Sequence, residues 1–121
     1  MKHTISIVVS IVLAGCMSNP RIEDLSSADR AKAASIQVFK SPPDRNYEII
    51  GTVKGLSCNR NKYEAQDITE NEALQGVKIN AAQLGADAVI NTFCQTNSDT
   101  DWINNCWASV KCIGDAIRYK K

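Results

Sequence analysis

The sequence predicts an α+β domain, in which one main helix packs across a small mixed sheet in two layers and two disulfides staple the structure. Three observations carry this expectation. Segments of near period-two hydrophobicity stand on both sides of a single capped segment of helical periodicity. That segment has one apolar stripe, enough to cover one face of a sheet. Four cysteines, an even number, fall in or beside the strand segments. The expected organisation is a signal peptide over 1–15, a flexible tether over 16–33 and the disulfide-bonded domain over 34–121.

The N-terminal segment sets the compartment. Lys2 gives a positive start, and Thr4–Ala14 is a mostly apolar run, within the ~7–15 residues of a secretory core and too short to span a bilayer. It closes on Leu13-Ala14-Gly15-Cys16, which looks like a bacterial lipobox. The expectation is that Cys16 becomes the first residue and carries the lipid that anchors the protein to the bilayer. An ordinary signal peptide with a chance cysteine is the rival reading. Met17 follows Cys16; aspartate in that place commonly retains bacterial lipoproteins in the inner membrane, so its absence implies the outer membrane, with the domain facing mainly the periplasm.

From Met17 to about Ala33 the chain is polar and small, without apolar periodicity. It reads as a flexible tether in which 22–33 has some capacity for a short helix but little to bury. Ser35–Lys40 reads as a first strand, with Ile36 and Val38 turned inward and Ser41-Pro42-Pro43-Asp44 as the turn that stops it. Tyr47–Ser57 is a second strand, where Gly51 and Gly55 mark a bulge or a close backbone approach. Asn59–Asp67 reads as a loop. The helix is expected over 70–84. Thr69 and Glu72 match a capping box, Leu74, Val77, Ala81 and Leu84 form the stripe, and Gly85 is placed for a left-handed cap. Asp87–Phe93 and Trp107–Ile113 are strands three and four, with Ala116–Tyr119 continuing the fourth. A helix between strands two and three permits a right-handed crossover, compatible with a parallel relation of those two and a mixed sheet, and the strand order is left open.

Composition narrows the function. Without the signal, 13 of the 14 basic residues remain against 13 acidic ones. That balance gives no basic face for nucleic acid. The sole histidine, His3, leaves with the signal, which excludes histidine-based hydrolysis and removes the commonest nitrogen ligand for metals. No cofactor is expected. Cys58, Cys94, Cys106 and Cys112 remain. In an exported domain of this size they read as two disulfides, for which three pairings are open; Cys94 with Cys112 would join strands three and four. A zinc site is the rival, but the Cys-x-x-Cys knuckle it would use is missing. The same absence argues against a redox enzyme.

The run from Gly51 to Cys58, then Ile79-Asn80-Ala81, Ala86-Asp87-Ala88-Val89, Cys94, Cys106 and Val110-Lys111-Cys112-Ile113-Gly114 resembles the RcsF family of outer-membrane lipoproteins, sensors of envelope stress for the Rcs phosphorelay. The resemblance covers roughly 48–117 and the lipobox. It implies a non-catalytic α+β periplasmic domain with disulfides Cys58–Cys106 and Cys94–Cys112. It also implies partners: an outer-membrane barrel protein with its assembly machinery and, under stress, the inner-membrane repressor IgaA. This chain departs from the family in its short tether, with Pro20 as its one proline where relatives carry a long proline-rich basic segment. A small structural or binding envelope lipoprotein without a signalling role is the alternative.

Three further features have plain readings. Trp102-Ile103, in the polar loop 95–105, is expected to fold back over the disulfides rather than stand out as a partner contact. Asp99 and Asp101 form an Asp-x-Asp pair but lack the glycine and glutamate of a calcium loop, so solvated loop charges are expected. Lys120 and Lys121 read as a solvated tail.

Overall fold

The computed structural model describes residues 25–60 and 67–121. Cys16, Met17 and the signal segment lie outside the described residues. The elements in chain order are α1 (Ser27–Ser35), β1 (Gln37–Val38), β2 (Tyr47–Asn59), α2 (Glu70–Gln83), β3 (Ala88–Asn97) and β4 (Ala108–Tyr119). The four strands form one mixed sheet in the order β1-β3-β4-β2. The architecture is therefore the expected α+β one, with both disulfides, Cys58–Cys106 and Cys94–Cys112, formed.

Strands two and three run parallel, as the crossover permits, and the order left open by the sequence separates them. β4 enters between them and pairs antiparallel with both, while the parallel pair is β1 with β3. The crossover through α2 does leave β2 and β3 pointing the same way, but across the width of an intervening strand. The fourth strand and its possible continuation are one strand of 12 residues, long enough to pair with β3 on one side and β2 on the other. The first strand shrinks to two residues because Ser35 ends α1 and the chain leaves the sheet before Ser41.

Residues 27–33, expected in the tether, belong to α1. Ser26 caps it by accepting a hydrogen bond from Asp29 N at 3.2 Å, and it buries a single side chain, Ala33, while Leu25 packs on the same cluster. One small buried side chain is too little to show as periodicity.

The main core lies between α2 and the sheet. Val53, Val89, Val110, Cys112 and Ala116 face Ala73, Val77 and Ala81. α2 begins and ends where the sequence placed it to within a residue, with Thr69 Oγ1 accepting from Glu72 N (3.1 Å) and Gly85 in the left-handed region at φ 77°. The reciprocal half of the capping box is replaced: Thr69 N donates to Ser57 Oγ at 2.9 Å, which ties the helix start to β2. The buried stripe also differs. Leu84 is 46 % exposed, and Ala73, Gly76 and Val77 carry the contact instead. Small residues are selected because β2 approaches the helix backbone at Gly55, where any Cβ would overlap the Ala73 carbonyl oxygen and stand 2.7 Å from Val77 N. Gly51 marks the expected bulge, seen as a register shift between Ile49 and Gly51.

The opposite face of the sheet carries a smaller cluster, Ala88, Ile90 and Ile117 with Phe39, Tyr47 and Tyr119. The Arg45 guanidinium stacks 3.7 Å from the Tyr119 ring centre. Beyond that cluster the face is open: Phe93, opposite Ile113 in register, is 62 % exposed, and Ile49 is 56 % exposed.

Candidate functional site: a pinned hairpin with an apolar tip

β3 and β4 are joined by a hairpin whose loop closes on itself. Asp101 and Cys106 exchange backbone hydrogen bonds, Asp101 N to Cys106 O at 2.6 Å and Cys106 N to Asp101 O at 2.9 Å. Between them the chain turns through Trp102-Ile103-Asn104-Asn105, with Asn105 at φ 57°, a conformation asparagine tolerates better than most residues. The Asp101 carboxylate fills the inside of this turn. Oδ1 accepts from the backbone N–H of Ile103 and of Asn104, both at 3.1 Å, and Oδ2 accepts from Asn104 Nδ2 at 2.8 Å. Lys111 Nζ, from β4, stands 2.8 Å from the same Oδ2. The Lys111 ammonium first, then the Asn104 side chain and backbone, hold the Asp101 carboxyl well below the usual carboxylate range. Asp101 is thus a buried turn-former, not one of two solvated charges; Asp99 is exposed as expected.

The base of the turn is fixed twice more. Cys106 is buried and bonded to Cys58 on β2, so the disulfide reaches from the hairpin to the far edge strand past β4. Trp107 N donates to Asn59 O at 2.7 Å. The second disulfide, Cys94–Cys112, links directly opposed residues of β3 and β4 on the α2 face. All four body cysteines are consumed in this way. Among the described residues, no group of three or more His, Cys, Asp or Glu side chains could hold a metal ion.

What the pinned turn displays is apolar. Trp102 is 83 % exposed and Ile103 94 % exposed. This overturns the expectation that the pair folds back over the disulfides. The turn is only four residues long between its bridging ends, and its interior is taken by the Asp101 carboxylate, so both side chains are directed outward. Lys120 and Lys121 are exposed, and Lys120 N donates to Asn46 O at 3.0 Å. Lys111 is the site residue that sequence reading missed. Its signal was present in β4's alternation, where a lysine sits between inward Val110 and Cys112 and so must point toward the hairpin's side of the sheet.

No protein-family model matches the chain, and no curated protein matches it. Among solved structures, a protein of unknown function of the DUF74 family from Pediococcus pentosaceus is similar, with a TM-score of 0.52 and 17 % sequence identity over 70 % of this chain and 98 % of that one. At that identity the likeness shows a shared fold.

Proposed function

We propose that this chain is a lipid-anchored envelope protein without catalytic activity that works by contact, as RcsF-like stress sensors do. Cys16 holds it at the outer membrane. The hairpin tip is the surface that meets the inner-membrane repressor of a phosphorelay when damage lets the two approach. The observation that carries this reading is the pair Trp102 and Ile103, large apolar side chains left in water on a turn that a buried carboxylate, an ion pair and a disulfide hold in place. Burying such a side chain would gain about 1.5–3 kcal/mol, so its display on a fixed support favours a partner that buries it. A preformed turn also spares the ordering cost that a flexible loop would bring to binding.

The test uses the full lipidated chain in cells carrying an Rcs-type reporter. Met17→Asp should move the protein to the inner membrane, raise its effective concentration at the repressor and switch the reporter on. Adding Trp102→Ala and Ile103→Ala should return the reporter to baseline at equal protein abundance. If fractionation confirms relocation, the domain is folded and the reporter stays silent, the signalling reading fails and a structural or binding lipoprotein takes its place. If the reporter responds but the tip substitutions leave it unchanged, the contact lies elsewhere on the domain.

A further inference from the structure

The sheet has an unfinished edge. β1 covers β3 only from Ala88 to Thr92: Gln37 and Val38 pair with Ala88 and Val89, Phe39 N donates to Val89 O at 2.8 Å, and Thr92 N donates to Phe39 O at 3.1 Å. The chain then turns away at Ser41-Pro42-Pro43, while β3 runs on to Asn97. Among the described residues no strand pairs with β3 on this side beyond Thr92.

The direction of the unused backbone groups follows from the second disulfide. Cys94 and Cys112 are directly opposed with Cα atoms 4.0 Å apart. So close a spacing belongs to the antiparallel pair whose members do not bond each other, and whose N–H and C=O groups therefore point to the strands' other sides. Cys94 thus presents both groups to the open edge, and by the two-residue period Thr96 does the same. Thr92, two residues before, already sends its N–H that way to Phe39.

Beside this edge runs a groove of about 1030 Å³ between the end of β1 and α2, with Ile36, Val38 and Leu74 among its walls. Lys40 and Lys78 line it with Glu70, and among the described residues neither lysine has an ion-pair partner. On the other side of the edge stands the exposed Phe93 ring. The opposite sheet edge is different, because the Lys54 carbonyl on β2 is occupied by Asn80 Nδ2 from α2 at 2.6 Å.

We infer that the Cys94–Asn97 edge of β3 is a docking site for an extended, acidic segment of a partner protein, added as a further strand in line with β1. The segment's backbone pairs with Cys94 and Thr96. Its alternate side chains fall into the groove beside Leu74 and over Phe93, and its carboxylates meet Lys40 and Lys78. This surface is separate from the hairpin tip and does not depend on the signalling reading.

The probe is a short blocked peptide of alternating valine and threonine flanked by aspartates, added to the full chain with its disulfides intact. Amide hydrogen exchange is followed residue by residue. At nine-tenths occupancy, exchange at Cys94 and Thr96 should slow by about tenfold, while Gln95, already bonded to β4, should change little. The same peptide N-methylated at alternate amides should give no slowing. Replacing its aspartates by lysines should weaken binding by about two- to fivefold, the measure of exposed ion pairs. Thr96→Pro removes the edge N–H without touching the β4 ladder and should abolish binding; if that variant misfolds, the N-methylated comparison on the unchanged protein decides. Unchanged exchange at Cys94 and Thr96 at saturating peptide overturns the inference. So does slowing without peptide that grows with protein concentration, which would make the occupant a second copy of this chain.

Discussion

Replacing Gly55 by alanine tests whether the direct approach of β2 to the α2 backbone governs the packing of this domain. The added methyl would overlap the Ala73 carbonyl oxygen and lie 2.7 Å from Val77 N and 2.9 Å from Ala73 C, all backbone atoms that no rotamer change can move. Ordinary contact begins near 3.4 Å and the Ala73 oxygen is the worst of the three contacts, so α2 and β2 must part by about 1.6 Å along that turn. A gap of 0.5–1 Å already forfeits roughly a quarter to a half of the dispersion well of each facing atom, and a wider one more. Applied to the buried side chains of α2, chiefly Val77 and Ile79 with three alanines, this predicts a loss of about 3 kcal/mol or more, at or beyond the upper end of measured overpacking. Urea unfolding under non-reducing conditions should show a midpoint lower by about 1–2 M with an unchanged slope. Gly51→Ala is the control. Its methyl would meet only the Leu84 Cδ1 atom at 3.2 Å, on a side chain that is nearly half exposed and free to turn, so the change should be neutral or stabilise by up to about 1 kcal/mol. A midpoint for Gly55→Ala within about 0.3 M of the parent, or equal damage from both substitutions, would refute the reasoning.

Other outcomes are open to measurement. Replacing Cys58 and Cys106 together by serine should cost about 4 kcal/mol by the loop-closure relation for their separation of 48 residues, and hydrogen exchange should localise the early opening to 98–107. Because Asp101 binds its proton more weakly folded than unfolded, its contribution is present above the ordinary carboxylate value of 3.8 and is lost as pH falls below it; Asp101→Asn should flatten that acid limb in a pH series of thermal melts. Ser109 Oγ is buried and has no hydrogen-bond partner among the described residues, so Ser109→Ala should leave stability unchanged or raise it by about 1 kcal/mol, seen as a melting temperature several degrees higher.

Much of this fold was legible because local signals and global packing agree. The α2 start at Thr69 and its end at Gly85 are set by hydrogen-bond satisfaction within a few residues, which a sequence displays directly. The strands over 47–59 and 108–119 show as β-branched alternation. Other features are not local. Nothing near Ala88 says that β4 rather than β2 will lie beside it, since strand order is decided by which faces can be covered together. The helix stripe was misread at Leu84 because size and apolarity pointed to leucine, whereas the helix comes closest to β2 at Ala73 and Val77, beside Gly55. At the hairpin, Trp102 looked too large to leave in water. The carboxylate that excludes it from the interior belongs to Asp101, whose burial depends on Lys111, a residue distant in sequence.

The position of β4 gives the chain a particular order of assembly. It is the last of the described strands to be made and the one that joins the β1–β3 pair to β2, carrying Cys112 within it and following Cys106 by two residues. Until residues 108–119 emerge, β1 and β3 share no strand pairing with β2, and Cys94 stays without its partner Cys112. Folding thus waits for contacts between segments far apart along the chain, a dependence that slows the search for the native state. A cut or fusion inside 108–119 would leave two half-sheets rather than a shortened domain, whereas the same change after Tyr119 would spare the ladder.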